Sequence, residues 1–476
     1  MQKYEHAFGK NDIRGIYGKD ITEELYYNIG RGFIVWLINK SAKQAEDMIL
    51  TVCRDARLHS PGLSEALIAG ITSTGAQVID LGLAPTPIGY YSEVTMSEVI
   101  SSMIITASHN PSEYNGLKMT YEHQTLNELQ IKEVKDLTFK NWSSDIKPVN
   151  KSHVRNYDII PAYIKDMKER FGFIGKGLKV VVDSANATGG IVGPKLYKEL
   201  GCEVIELYSE PDGRFPNHHP NPSDLKTLKD ISNAVVENNA DVGIAYDGDS
   251  DRIGVIDTDG NPLTGDKLLL IYALDLIKDC KTKPTVVSEV KCSQVLYDTI
   301  NSTGANAVMC KTGHGYIKEK MKETGAVLAG EMSGHTFFKD RYYGFDDAIY
   351  AGCRIIEIIA KNKAVNPNFK IQDMLKPFSA VYTSNEVRFP CPNELKKTVL
   401  ENLKNYVNDN PNMFGTEIKD IVTLDGMRIV FDGGFALIRQ SNTEPVFTLR
   451  FEAKTKDECE HIQKCMLNKL KNILNN

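Results

Sequence analysis

The chain has no long apolar run, no paired cysteine motif and no dense basic cluster, and each absence removes a class of function. The strongest apolar stretch near the N-terminus, Gly32 to Ile38, is far too short to span a bilayer. Met1 to Lys10 lacks a signal-peptide core. Nine cysteines (53, 202, 280, 292, 310, 353, 391, 459 and 465) are scattered, odd in number and never spaced Cys-x-x-Cys. That usage fits reduced cytoplasmic thiols rather than a disulfide framework or a zinc site. A net charge of −6 with no Lys/Arg patch argues against a nucleic-acid surface. The expectation is a cytoplasmic protein with neither membrane nor nucleic acid as partner.

What is present is ordinary in bulk: 476 residues, 42% apolar and 25% charged, too long for one core. From residue 22 to about 361, helical and strand-like segments alternate, which predicts α/β architecture with partly parallel sheets. Leu25, Ile29, Phe33 and Leu37 recur on one helix face. Strand-like runs at 48–53, 77–81, 99–106, 179–182, 203–207, 242–245, 285–290, 307–310 and 327–329 are interleaved with helical segments. Among these are 63–74, 192–200, 224–238, 266–277, 316–323 and 347–360. Three comparable α/β blocks resemble diverged repeats. The final hundred residues read as α+β, ending in a helix over 456–474. Polar, turn-rich stretches place the domains at 1–153, 154–257, 258–370 and 371–476.

Three acids alternate in Asp247-Gly248-Asp249-Ser250-Asp251, after the apolar run Val242 to Ala245 and before Arg252. Positions i, i+2 and i+4 do not share one helix face, so a loop leaving a strand is expected. At about 5 Å each pair would repel by roughly 3 kcal/mol at an effective dielectric near 20. Convergence therefore makes sense around a cation, and hard oxygen ligands suit Mg²⁺. A calcium loop of the EF-hand type is excluded, because its sixth position needs Gly and holds Arg252, and its twelfth needs Glu and holds Thr258.

Three further loops also follow apolar strand runs, where ligands bind in open α/β sheets. Met103 to Ile105 leads into Thr106-Ala107-Ser108-His109-Asn110-Pro111. Val327 to Ala329 leads into Gly330-Glu331-Met332-Ser333-Gly334-His335, and Phe435 to Ile438 into Arg439-Gln440-Ser441-Asn442-Thr443-Glu444-Pro445. No Gly-x-Ser-x-Gly elbow surrounds Ser108, against a hydrolase. Adjacency in sequence also predicts that the His109 side chain does not point along that of Ser108. Beside a metal loop, Ser108 reads instead as a phosphoryl carrier whose oxygen would be a fourth metal ligand. Arg439, Ser441, Asn442 and Thr443 read as a phosphate clamp, with Arg439 the planar, bidentate donor. Glu331 and Ser333 could hydrogen-bond sugar hydroxyls.

Together these loops resemble the α-D-phosphohexomutases, most closely the bacterial phosphomannomutase/phosphoglucomutase branch. The likeness runs the whole chain. It includes Asp12-Ile13-Arg14-Gly15, Arg54-Asp55-Ala56-Arg57, Ala84-Pro85-Thr86-Pro87, Asn115-Gly116-Leu117-Lys118, Lys311-Thr312-Gly313-His314 and Gly344-Phe345-Asp346-Asp347, besides the four loops. Departures are Asn11 in place of Tyr, His59 in place of a small residue, and Asn186-Ala187-Thr188 in place of Asn-Gly.

The resemblance implies four domains around a central cleft, the fourth like the TATA-binding protein. It implies a phosphorylated Ser108 and Mg²⁺ held by Ser108, Asp247, Asp249 and Asp251. Ser108 would pass its phosphoryl group to O1 or O6 of a hexose phosphate. The hexose 1,6-bisphosphate would turn end for end and return the other phosphate. Arg14 would balance charge, Arg252 would support the Asp loop and contact substrate, and Lys118 would be general acid/base. His109, His314 and His335 complete the catalytic set. Lys291, Glu331, Ser333, Arg439, Ser441, Asn442 and Thr443 would hold substrate. Mannose and glucose phosphates are the expected substrates of a monomeric enzyme. Phosphoglucosamine mutase is the alternative, against which Met332 stands where that branch has Gln.

Overall fold

The computed structural model describes residues 2–441 and 444–475. The chain divides into two compact units, Met1–Leu263 with Ser333–Ile371, and Thr264–Met332 with Gln372–Asn476.

The first unit contains two mixed sheets. One runs Ile13–Ile16, Tyr114–Tyr121, Val99–Ile105, Ile49–Arg54, Gln77–Leu83, Val154–Asn156, with Gln124–Thr125 on the edge of Tyr114–Tyr121. Its centre is parallel: Ile49–Arg54 pairs in parallel with both Gln77–Leu83 and Val99–Ile105. Strands Ile13–Ile16 and Tyr114–Tyr121 run antiparallel, which brings Arg14 and Lys118 beside the carboxyl end of Val99–Ile105. Helices Glu23–Ser41 and Ser60–Thr72 approach so closely that a Cβ at Gly30 would meet the Leu67 carbonyl at 2.7 Å. The helix face Leu25, Ile29, Phe33 and Leu37 is buried in this core, as its spacing predicted.

The second sheet runs Pro262–Leu263, Ile253–Ile256, Val242–Tyr246, Lys179–Asp183, Glu203–Leu207, the last three parallel. Val154–Asn156 belongs to the first sheet and Pro262–Leu263 to the second, so the sheets extend past residues 153 and 257. The helix expected from Asp224 begins at Lys229, because Asp224 and Thr227 are used in side-chain turns that take the place of helical bonds. Helix Ala348–Val365 completes this unit and starts at Asp347, whose carboxylate accepts the Tyr350 N–H at 2.8 Å.

In the second unit, Thr285–Glu289 lies between Asn306–Cys310 and Leu328–Gly330, all parallel. Its C-terminal part is antiparallel: Tyr382–Thr383, Val446–Ala453, Gly434–Gln440, Met427–Phe431, Ile418–Val422, with Val387–Pro390 also on Val446–Ala453. Alternation along Gly434–Gln440 sends Ala436 and Ile438 toward helices Lys396–Asp409 and Lys456–Leu474, and Phe435 and Leu437 toward Val290. This is the α+β pattern expected of the last hundred residues. Among the described residues, no helix is long and apolar enough to cross a membrane.

Candidate active site

Ser108 leaves the end of Val99–Ile105 with φ 49°, the left-handed region that a residue with a Cβ enters at a cost. Neighbouring groups hold it there. Its N–H donates to Thr106 Oγ1 at 2.9 Å, and its carbonyl accepts from Arg57 Nη2 at 2.8 Å. Arg57 also donates to the carbonyls of Asn110 (2.7 Å), Tyr114 (3.2 Å) and Pro111, while its Nε meets Asp55 at 2.9 Å. This turn aims Ser108 Oγ at Asp247 Oδ2, 2.6 Å away. It also brings His109 Nδ1 to 3.3 Å from Ser108 Oγ. The expectation from adjacency that the two side chains diverge is therefore corrected: with Ser108 at positive φ, the neighbouring side chains meet. Burial, followed by the charges of Arg252 and Arg14, pushes the His109 pKa far down, so the imidazole is neutral.

The acids lie in the turn between antiparallel strands Val242–Tyr246 and Ile253–Ile256. Asp247 Oδ1 accepts the N–H groups of Asp251 and Arg252, each at 3.1 Å, which closes the loop. Gly248 is required here, since a Cβ would run into the Ser108 carbonyl. Asp247, Asp249 and Asp251 are all buried, with one oxygen from each lying within 4.8 Å of the others. Burial and then the charges of Asp251 and Asp249 push the Asp247 pKa well up. Burial opposes the charge of Asp251, but Lys118, His335 and Arg252 together hold its pKa low. Lys118 Nζ donates to Asp249 at 2.8 Å and to Asp251, and these acids hold its ammonium charged against burial. Thr86 anchors the same loop by its N–H to the Asp249 carbonyl (2.9 Å) and its hydroxyl to Asp249 Oδ2 (2.6 Å).

Arg14 binds Asn110 at 2.7 Å and pairs with Asp12; burial opposes its charge, but Asp12 and Asp249 keep it protonated. Arg252 Nε donates to His335 Nε2 at 3.1 Å and lies 4.0 Å from Asp247. That bond makes Nε2 an acceptor and puts the imidazole proton on Nδ1, which faces Asp346 at 3.1 Å and Asp251 at 3.7 Å.

In the second unit, Glu331 Oε1 accepts the Gly313 N–H at 2.8 Å, just before His314 opens helix His314–Thr324. Lys291 lies 3.4 Å from Glu289, which also accepts the Met332 N–H at 2.8 Å. Arg439 Nε donates to Asp425 at 2.8 Å, and the same Asp425 oxygen accepts Thr312 N–H at 3.1 Å. Lys291, Glu331, His314 and Arg439 are thus tied to one set of loops. Lys396 grips the Ser441 carbonyl at 2.7 Å. Asn442 and Thr443 lie outside the described residues. Ser333 falls in the first unit, where its carbonyl accepts from Ser223 at 3.1 Å.

Family models for phosphoglucomutase/phosphomannomutase match four successive segments: alpha/beta/alpha domain I at 5–144, domain II at 161–260, domain III at 264–377 and the C-terminal domain at 386–469. The chain is 38% identical over 467 residues to the phosphomannomutase/phosphoglucomutase of Pseudomonas aeruginosa, covering 98% of this chain and 96% of that one. The chain belongs to the phosphoglucomutase/phosphomannomutase family. A phosphoglucomutase of Neisseria gonorrhoeae is 38% identical over 459 residues, 96% of this chain and 95% of the relative. Among solved structures, a phosphoglucomutase/phosphomannomutase family protein from Burkholderia thailandensis superposes with a TM-score of 0.86 at 33% identity, covering 98% of this chain and 97% of that one.

Sequence reasoning left Asp55, Arg57, Thr86, Asp346 and Asp425 out of the site. A signal for two of them existed: Arg54-Asp55-Ala56-Arg57 also follows a central strand, Ile49–Arg54, by the criterion that singled out Ser108. Asp425 sits in the turn between antiparallel strands Ile418–Val422 and Met427–Phe431 and carries no such mark.

Proposed function

We propose that this family member is a phosphohexomutase that interconverts hexose 1-phosphates and hexose 6-phosphates of mannose and glucose through phosphorylated Ser108. The observation that carries this reading is the approach of Ser108 Oγ to Asp247, 2.6 Å away, in a buried acid trio that also holds Lys118.

The donor set fits Mg²⁺. Asp249 Oδ1 and Asp251 Oδ1 are buried without a hydrogen-bond partner, and all three acids offer hard oxygen ligands beside Ser108 Oγ. When bound there, the ion would neutralise charge on the transferring phosphoryl group.

The protein's own groups account for the rest. A sugar hydroxyl attacks the phosphorus of phosphoseryl-108; the new P–O bond forms to the sugar as the P–Oγ bond breaks in line, and the sugar proton goes to a neighbouring base. The same step in reverse, from the other sugar oxygen, restores the phosphoserine. Such transfers need positioning and charge balance above all. Arg14 and Lys118 bring the positive charge, and Lys118 is a proton donor to the departing oxygen. His109, holding a neutral imidazole, is the proton acceptor on offer, while His335 is engaged by Arg252 on one ring nitrogen and faces Asp346 and Asp251 with the other. Lys291, Glu331, Ser333, Arg439 and Ser441 bind sugar hydroxyls and the phosphate that stays in place, with a hexose 1,6-bisphosphate as intermediate. The nine unpaired cysteines agree with a reducing, cytoplasmic setting.

The test combines intact mass and peptide analysis at Ser108 with a coupled assay of glucose 6-phosphate from glucose 1-phosphate, free phosphate being followed alongside. Phosphate on Ser108, mutase turnover and its loss in a folded Ser108→Ala variant are expected. Turnover by an unphosphorylated enzyme that needs no bisphosphate would sink the scheme, and release of free phosphate as the main product would make the protein a phosphatase. Mannose, glucose and glucosamine 1-phosphates compared in that assay rank the sugars.

A further inference from the structure

A partly buried Asp–His contact outside the reacting groups lies at the start of a chain of contacts that ends at Ser108. Asp183 closes the central strand Lys179–Asp183 and is 1% exposed. Its oxygens lie 3.2 and 3.0 Å from His218 Nε2, and one of them also accepts the Ala185 N–H at 2.9 Å. His218 Nδ1 faces the His219 carbonyl at 3.0 Å. Both ring nitrogens thus meet acceptors, and the ring orientation is fixed from two sides.

His218 belongs to a segment, 212–220, that is tied to the turn after Asp183. The Asp212 N–H donates to the Asn186 carbonyl at 2.8 Å, and Asn217 Nδ2 to Asn186 Oδ1 at 2.7 Å. Between these ties the segment lies on the Arg57 loop. A Cβ at Gly213 would meet Arg57 Cα at 2.6 Å, and the Phe215 ring sits under the Arg57 guanidinium at 5.2 Å. Phe215 holds φ 49°, a conformation that persists only when its surroundings impose it. The His219 imidazole faces the His109 carbonyl. Arg57 in turn binds the carbonyls of Ser108, Asn110 and Tyr114.

We propose that His218, gripped by Asp183, is a positioning residue: it presses segment 212–220 onto Arg57, and Arg57 sets the turn that aims Ser108. The consequence for turnover rests on Ser108 as the phosphoryl carrier; the consequence for the turn itself does not. A staple that served only the second sheet would have no reason to place Gly213 and Phe215 against Arg57.

The experiment uses the full-length protein with His218→Ala, His218→Gln and Phe215→Leu. Gln keeps an N–H donor for Asp183, and Phe215→Leu removes the ring under Arg57 while leaving the Asp183 pair alone. Hydrogen exchange is read over 106–114, with helix Glu23–Ser41 as control, before any substrate is added. His218→Ala is expected to speed exchange at 106–114 about tenfold while the control helix is unchanged. It should lower kcat by about tenfold with KM for hexose 1-phosphate held within about twofold. Phe215→Leu should move both in the same direction, and His218→Gln should recover most of each. Unchanged exchange at 106–114 in His218→Ala and Phe215→Leu overturns the proposal, as does faster exchange that appears equally in the control helix. Absence of phosphate and mutase turnover in the unsubstituted protein would overturn the phosphoserine reading and leave the exchange result to judge the positioning role by itself.

Discussion

At the scale of single residues, the site depends on backbone geometry that only particular side chains permit. Ser108 with φ 49° carries a strain on the order of 1 kcal/mol, held by its bonds to Thr106 and Arg57. Gly248 is the complementary case, because the missing Cβ leaves room for the Ser108 carbonyl. Gly248→Ala should therefore displace one loop from the other, at a stability cost of about 1–3 kcal/mol, with a loss of kcat larger than that cost implies. Thermal melting beside kinetics checks this; normal kcat in Gly248→Ala would show that the loop contact has slack. Asp249→Asn removes one anionic oxygen from the acid trio and should weaken Mg²⁺ binding about tenfold or more, measured by titration calorimetry, with activity returning at high Mg²⁺. An unchanged titration would remove Asp249 from the metal set. The acid loop and the Ser108 loop were legible because their chemistry is written in consecutive residues after apolar strands. Arg57 also follows a strand, but its role was not legible, since its partners are backbone carbonyls of another loop and its burial follows from tertiary packing alone. The left-handed turn at Ser108 was equally hidden, because nothing in Thr-Ala-Ser-His announces a positive φ.

Elements with strong local signals were read most closely. Helix Lys456–Leu474 has the expected bounds, set by the Thr455 and Glu458 capping box. Strand Tyr114–Tyr121 gave no pattern because six of its eight residues are buried, so alternation disappears. Its Lys118 is buried by acids that lie more than a hundred residues away. Helix Ala348–Val365 shows how a cap can serve a site. Asp347 caps it and accepts hydroxyls from Tyr163 (2.8 Å) and Tyr342 (2.6 Å), while the preceding Asp346 faces His335. Burial, only partly offset by the Tyr342 hydroxyl and the Tyr350 N–H, raises the Asp347 pKa from 3.8 to about 6. A raised carboxyl pKa means that the folded state favours the protonated form. That stabilisation is complete below pH 3.8 and is lost as pH rises through about 6. Asp347→Asn mimics the protonated group, so its stability relative to the unsubstituted protein should rise between pH 4 and pH 7, by up to ~3 kcal/mol. Melting temperatures of both proteins across that range decide it, and a constant difference would contradict the assignment.

At the scale of the whole molecule, the groups proposed for phosphoryl transfer fall in the first unit and most of those proposed for holding substrate in the second. On the proposed reading, the sugar presents first one oxygen and then the other to the same serine, so the groups that hold it have to differ from those that react. The holding residues must then release one phosphate and grip the other. Arg439 is suited to that exchange. Its Nε is engaged by Asp425 at 2.8 Å, and the same carboxylate oxygen holds the Thr312 N–H. An incoming phosphate would thus meet a guanidinium already oriented by that carboxylate. Charge-assisted hydrogen bonds contribute roughly 1.5–3 kcal/mol each, so Arg439→Ala should raise KM by about one to two orders of magnitude. Transfer from phosphoseryl-108 to a bound sugar should be affected less, because none of its reacting groups is altered. The distinguishing result is escape of intermediate: with the grip weakened, free hexose 1,6-bisphosphate should accumulate during turnover, and added bisphosphate should restore activity lost to dephosphorylated enzyme. Rapid-quench analysis of labelled sugar phosphates measures both. If KM is unchanged and no additional bisphosphate leaves the enzyme, Arg439 does not hold the stationary phosphate, and that role has to be placed on other residues.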